Sequence, residues 1–198
     1  MLRTAPLNKS LVLKIILIFF LSYGISLLAW IQVQDTYGYA MTFVSSKFVA
    51  AFKDAKLEEV LQEDNSVKMI FRSLKNRKNV LFLIPLKTSV YAFNVPLTLS
   101  ILACLFLFIR RKLRAYGEAI LLLVVVHFFY IFFFGILRLT EVFMGKGIEE
   151  LNPLLLTVYQ FLWGFSEYTF INFGPFLIGI YIFMRFKKNQ PGDKSFAE

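Results

Sequence analysis

The chain has 198 residues, 58% of them hydrophobic and 24 of them Phe, against roughly 45–50% apolar residues in an ordinary soluble domain. Its formal net charge of +9 does not indicate nucleic-acid binding, because such proteins gather their cations on one polar face. Here Lys and Arg punctuate long apolar runs, the pattern of a chain solvated by lipid, with anionic head groups as counter-charge.

The first apolar run, residues 11–33, follows Lys9 and contains Lys14. It is longer than the 7–15 residue core of a signal peptide, and no small-x-small site closes it. The expectation is a retained first transmembrane helix, with Trp30 at the far interface.

Residues 34–90 are more polar and are expected to form a small extracytoplasmic subdomain. Met41, Val44, Phe48, Ala51, Phe52 and Ala55 recur at spacings of three and four, with Lys47, Lys53, Asp54 and Glu58 mostly between them. This predicts an amphipathic helix over 37–61, whose apolar face around Met41–Phe52 needs covering by the bundle, the lipid surface or a partner. The period then changes to two. Val67, Met69 and Phe71 alternate with Lys68, Ile70 and Arg72, a polar connector spans 75–79, and residues 80–84 are apolar. A β-hairpin is expected there.

The second span is read at 91–110, opened by Asn94 as helix cap with Pro96 in the first turn and closed by Arg110, Arg111, Lys112 and Arg114. The third is read at 117–138. Residues 154–183 make an apolar region of 30 residues, where a crossing needs only about 20. It is therefore divided into an interfacial segment, 154–165, and a fourth span, 166–186. The break lies near Gly164, Ser166 and Glu167, and a kink is expected at Asn172, Gly174 and Pro175. Residues 187–198 are expected to be a cytoplasmic tail. The fold class is thus membrane α-helical: four transmembrane helices, with a small α/β subdomain between the first two.

Charge gives the orientation. The 110–114 cluster and Arg185, Lys187 and Lys188 fall on one side, which the positive-inside rule places in the cytoplasm with both termini. Nine Lys/Arg in 34–91 oppose this, but six acidic residues accompany them, over a length at which the rule weakens.

Polar residues within spans need a reason. Cys104 and His127 each fall near the middle of a span, which would suit a thiol–imidazole nucleophile pair. The plainer alternative is a small buried thiol and a His hydrogen-bonded across helices. Arg138 and Glu141, three apart, share a helix face. With Gln160, Glu167 and Asn172 they could line an outward-facing polar site; alternatively they fix helix depth by an interfacial ion pair and snorkelling. Arg110, Arg111, Lys112 and Arg114 are read as topology and lipid head-group contacts. A lone Cys and a lone His exclude an internal disulfide and Cys- or His-rich metal sites. Walker, His-Glu-x-x-His and Gly-x-Ser-x-Gly motifs are lacking as well, so no catalytic residue, cofactor or metal is expected.

Tyr91-Ala-Phe-Asn94-Val-Pro96-Leu97 opening a helix, the stop at Arg110–Arg114, Gly117 before a Leu/Val-rich helix, and Val158-Tyr-Gln-Phe161 ahead of Pro175 form a layout that resembles the small membrane proteins associated with exosortase H. The resemblance implies a non-enzymatic accessory protein of a bacterial inner-membrane sorting system. Its partner would be an exosortase-like membrane protein or the exported substrate. The exosortase's own Cys, Arg and His are not carried over, because Cys104 lacks the small polar neighbours of that pattern. The competing functions are a membrane enzyme built on Cys104/His127 or Glu167/Arg138, or a small transporter subunit.

Overall fold

The computed structural model describes residues 9–63, 66–74, 80–88, 93–150 and 152–187. The 75–79 connector, the start of the second expected span and the 188–198 tail lie outside these.

Helix α1 is Lys9–Phe52. Its 44 residues make a rod about 66 Å long, so the expected first span and amphipathic helix are a single element. Nothing between them stops a helix: no Pro occurs, and Gln34 and Asp35 are tolerated in a helix interior. The end comes at Lys53–Asp54, where Asp54 adopts a left-handed φ of 46°, a conformation Asp accepts better than most residues. The Asp54 carbonyl then accepts from the Leu74 amide at 3.1 Å, which seats this turn against the sheet.

Residues 55–61, expected in the helix, belong instead to a strand. Strands β1 (Ala55–Glu63), β2 (Ser66–Ser73) and β3 (Leu81–Lys87) form an antiparallel sheet in the order β1-β2-β3. The expected hairpin is β2–β3, with Val67, Met69 and Phe71 buried as the alternation requires, joined by Phe82, Ile84 and Leu86. The strand missed was β1, whose bulge at Glu58 interrupts the two-residue period. Pro85 lies in β3, at the sheet's edge, where a missing N–H is tolerated.

Helix α2 (Asn94–Leu105) has 12 residues and is about 18 Å long, short of the roughly 30 Å hydrocarbon layer. The second expected span is therefore not a full helical crossing. Nor does Asn94 cap it: Phe93 is the N-cap, and Asn94 is buried in the first turn with no partner for its side-chain nitrogen. Helix α3 (Lys112–Gly145) has 34 residues. Helix α4 (Pro153–Phe165), a π-helical segment Ser166–Ile171 and helix α5 (Asn172–Phe186) then run on as one 34-residue path. Asn152 is a true cap, accepting from the Leu155 amide at 3.1 Å with Pro153 behind it. The expected break at Ser166 is a widening of the helix. Ser166 Oγ donates to the Leu162 carbonyl, and Pro175 withholds the N–H that Ile171 would have received.

The protein is thus mostly helical with a small sheet, and three helical segments are long and apolar enough to cross a membrane: α1, α3 and α4–α5. Tyr37 meets His127, Val49 meets Gly135 and Lys53 meets Glu149, so α1 and α3 run side by side in the same direction. At their starting end, Cys104 reaches Ile15, and the Arg110 amide donates to the Phe186 carbonyl at 2.7 Å. The described ends of the chain therefore share one pole of the bundle, with the basic 110–114 cluster. The sheet and the α3–α4 connection occupy the other pole, about 50 Å away along α3. One buried cluster joins the sheet to α1, α3 and α4 through Met69, Phe71, Phe82 and Phe143. A second, around Leu102, Leu123, Ile178 and Ile182, closes the basic pole.

Of the coverings open to the apolar face of α1, the bundle takes only part. Gly38, Met41, Thr42, Ser45, Ser46, Val49 and Ala50 are buried, whereas Val44, Phe48, Ala51 and Phe52 are exposed. Small residues let helices approach closely when lipid, not water, takes the large apolar ones. At Gly135 an added Cβ would stand 2.8 Å from Val49 Cγ2, a mark of that close approach. Trp30, expected at an interface, is turned inward, its ring 5.2 Å from that of Tyr37.

Candidate functional site

Arg138 and Glu141 do form the expected pair: Nη1 donates to Oε2 at 2.8 Å, one helical turn apart on α3. Arg138 also lies over two rings, Phe134 at 5.6 Å and Trp163 at 5.7 Å. Aromatic faces and a carboxylate thus hold the guanidinium on one side, with 44% of the side chain still exposed. Gln160, Glu167 and Asn172 do not complete a site around it. Gln160 and Asn172 are exposed and Glu167 is half-buried. Among the described residues, no hydrogen bond or ion pair joins any of the three to Arg138 or Glu141.

Cys104 and His127 do not meet. The Cys104 thiol donates to the Ile15 carbonyl at 3.5 Å, whereas His127 Nδ1 shares a 2.7 Å hydrogen bond with the Tyr37 hydroxyl. Ile15 and Tyr37 lie on the same continuous helix, with 22 residues between the two levels, or about 33 Å. The two were expected at similar depth because each is central in its apolar run. The short α2 lies wholly beside the first part of α1, and that shifts Cys104 toward the basic pole. His127 instead belongs to an aromatic stack, Trp30–Tyr37–His127, with ring separations of 5.2 and 5.7 Å. A cavity of about 470 Å³, almost wholly apolar and lined by Ile25, Trp30, Tyr37, Leu99 and Leu123 among others, opens beside this stack.

Sequence reading missed the most buried ion pair in the molecule's described part. Lys53 Nζ contacts both Glu149 oxygens, at 2.8 and 2.7 Å, and Lys53 is only 5% exposed. The Tyr159 ring lies 5.8 Å from the same ammonium. This cluster ties the end of α1 to the α3–α4 connection and to α4. One signal existed in the sequence: Met41, Ser45, Val49 and Lys53 follow at intervals of four, so Lys53 continues the small-residue stripe.

The 110–114 cluster forms the opposite pole. Arg111 adopts a left-handed φ of 49° at the start of α3, and Lys112 lies over the Phe106 ring at 3.4 Å. Glu118 receives Arg114 at 3.1 Å on one oxygen and Arg185 at 3.3 Å on the other. An isolated bridge between Ile109 and Lys187 draws the end of α5 alongside.

Among the described residues no group of three or more His, Cys, Asp or Glu is placed to hold a metal. No family model matches the chain, and neither a characterised protein nor a solved structure is similar to it.

Proposed function

We propose that the chain is a non-enzymatic accessory subunit of the bacterial inner membrane, which holds its sheet outside the bilayer for a partner membrane protein or an exported substrate. Both termini would be cytoplasmic, and an exosortase-type sorting system is the setting suggested by the layout of the sequence. The reading rests on the separation of the two poles, cations at one and the sheet at the other. The positive-inside rule puts the cationic pole in the cytoplasm, and the roughly 50 Å between them matches a bilayer with its head groups.

The sheet is positioned for presentation. Its inner face is welded to α1 and α3, and the Lys53–Glu149 pair fixes the turn from which it starts. Its outer face carries Leu81 and Leu83, each more than half exposed, in rows with Arg72 and with Ile70 and Glu59. A rigid apolar strip edged by charges is suited to a protein partner. The thiol-enzyme alternative is disfavoured by the 33 Å between the levels of Cys104 and His127.

Crosslinking in native membranes, followed by mass spectrometry, tests the proposal. Leu81→Ser with Leu83→Ser leaves the inner face intact and is expected to remove the crosslinked partner. Undiminished recovery of that partner would count against the sheet as the docking element. Cys104→Ala is expected to leave function unchanged, and complete loss would favour the enzyme. A reporter fused after Asn76 is expected to act only outside the cytoplasm.

A further inference from the structure

The basic pole is more than a topology signal. Arg110, Arg111 and Arg114 from the start of α3, and Arg185 and Lys187 from the end of α5, surround a cleft of about 410 Å³ whose wall is mostly polar. Two stretches of chain some 75 residues apart build it, and backbone bonds hold them together: Arg110 N to Phe186 O, and the Ile109–Lys187 bridge. Loose surface cations tracking a membrane would not need such a seam.

Of the five cations that border the cleft, Arg114 and Arg185 share the carboxylate of Glu118. Arg111 and Lys187 have no ion-pair partner among the described residues. The positive end of the α3 dipole and the negative end of the α5 dipole meet here, so the side-chain cations, not the helix ends, set the sign of the cleft. Five cations converge on one small volume, an arrangement whose chemistry suits an anion.

We propose that this cleft binds the phosphate of a dianionic phosphomonoester at the membrane surface. Several guanidinium forks favour tetrahedral oxyanions with oxygens enough for more than one bidentate contact. Leu113, Met184, Phe106 and Leu107 are exposed around the same pole, and acyl chains hanging from the phosphate would cover them. A lipid head group and free phosphate present the same chemistry. The proposal requires the bundle to sit in a membrane but not the accessory role, so the two can fail separately.

The test is native mass spectrometry of the full chain in detergent, titrated with phosphatidic acid, with phosphatidylglycerol and with inorganic phosphate. Phosphatidic acid should bind about tenfold tighter than the monoanionic phosphatidylglycerol. Arg111→Asn combined with Lys187→Gln should weaken phosphatidic acid about twentyfold, while Arg72→Gln on the sheet should have no effect. Neither substituted side chain in the double variant holds the fold through an ion pair, and Asn suits the left-handed position. Should that variant lose its thermal transition, Arg114→Gln takes its place with the same expected direction. Displacement of the lipid by millimolar inorganic phosphate would assign recognition to the phosphate alone, and resistance would assign part of it to the chains. Equal affinity for the two lipids, or no loss in the folded variants, would overturn the proposal.

Discussion

The two halves of α1 are both apolar, yet only one of them carries buried residues; the other lies against the short α2 with its side chains still partly open. From Lys9 to Ala29 no residue is buried, although Leu, Ile and Phe dominate; from Trp30 onward a stripe of Gly, Thr, Ser, Val and Ala is buried and ends in Lys53. In water the larger apolar residues would have turned inward. In a bilayer hydrocarbon is no worse a neighbour than protein, so what selects the closely packed half is size and hydrogen bonding.

That contrast can be broken by making like substitutions in both halves. The largest effect is expected at the lysines. Lys53→Met leaves the Glu149 carboxylate, 17% exposed, without its cation and should cost about 2–3 kcal/mol in detergent thermal or denaturant unfolding, the lower range for breaking a buried pair. Adding Glu149→Leu should recover most of that loss, since a hydrophobic replacement of the whole pair is nearly neutral. Lys14→Met, on the exposed half, should change stability by less than about 0.5 kcal/mol. Equal losses at both lysines would show that the Lys53–Glu149 contact contributes nothing.

The glycines come next, and here the two halves should differ in sign. Gly135→Val pushes a side chain into Val49 on α1, which an added Cβ would already meet at 2.8 Å, and overpacking of that kind costs about 1–3 kcal/mol. Val49→Ala in the same chain should return part of it. Nothing lies within 4 Å of a Cβ added at Gly24, so Gly24→Ala should stabilise the helix by up to about 1 kcal/mol. A destabilising Gly24→Ala would place an unseen neighbour against the first half.

This asymmetry also explains which parts of the fold were legible. The β2–β3 hairpin was readable because Val67, Met69 and Phe71 obey the rule for a sheet with one buried face. The apolar runs marked α1, α3 and the last helical path because length against bilayer thickness needs no packing information. Which covering the Phe48–Phe52 face takes was not legible, because in a bilayer a large apolar side chain is as well placed against lipid as against protein. α2 was overestimated because an apolar run of residues does not reveal where a helix begins, and a buried Asn94 looks the same in sequence as a capping one. Of the candidate residues, Arg138–Glu141 was legible from spacing alone. The Lys53–Glu149 pair joins positions 96 apart in sequence, and no local pattern connects them.

The smallest expected difference is between two tyrosines. Tyr37 bridges α1 to α3 through the 2.7 Å bond between its hydroxyl and His127 Nδ1, and interhelical bonds of this kind average about 0.6 kcal/mol in a membrane protein, reaching about 1.7. Tyr37→Phe keeps the ring against Trp30 and removes only that bond, so a loss of about 1 kcal/mol is expected. Tyr23, 14 positions earlier, meets Phe93 edge to face at 6.1 Å, a contact that Tyr23→Phe preserves, and its unfolding midpoint should stay at the wild-type value. The pair isolates one hydroxyl on each half of the same rod. If both variants melt like the parent, the Tyr37–His127 bond is energetically idle, and α1 is held against α3 by the close approach of small residues and by ring contacts such as Phe48–Phe128.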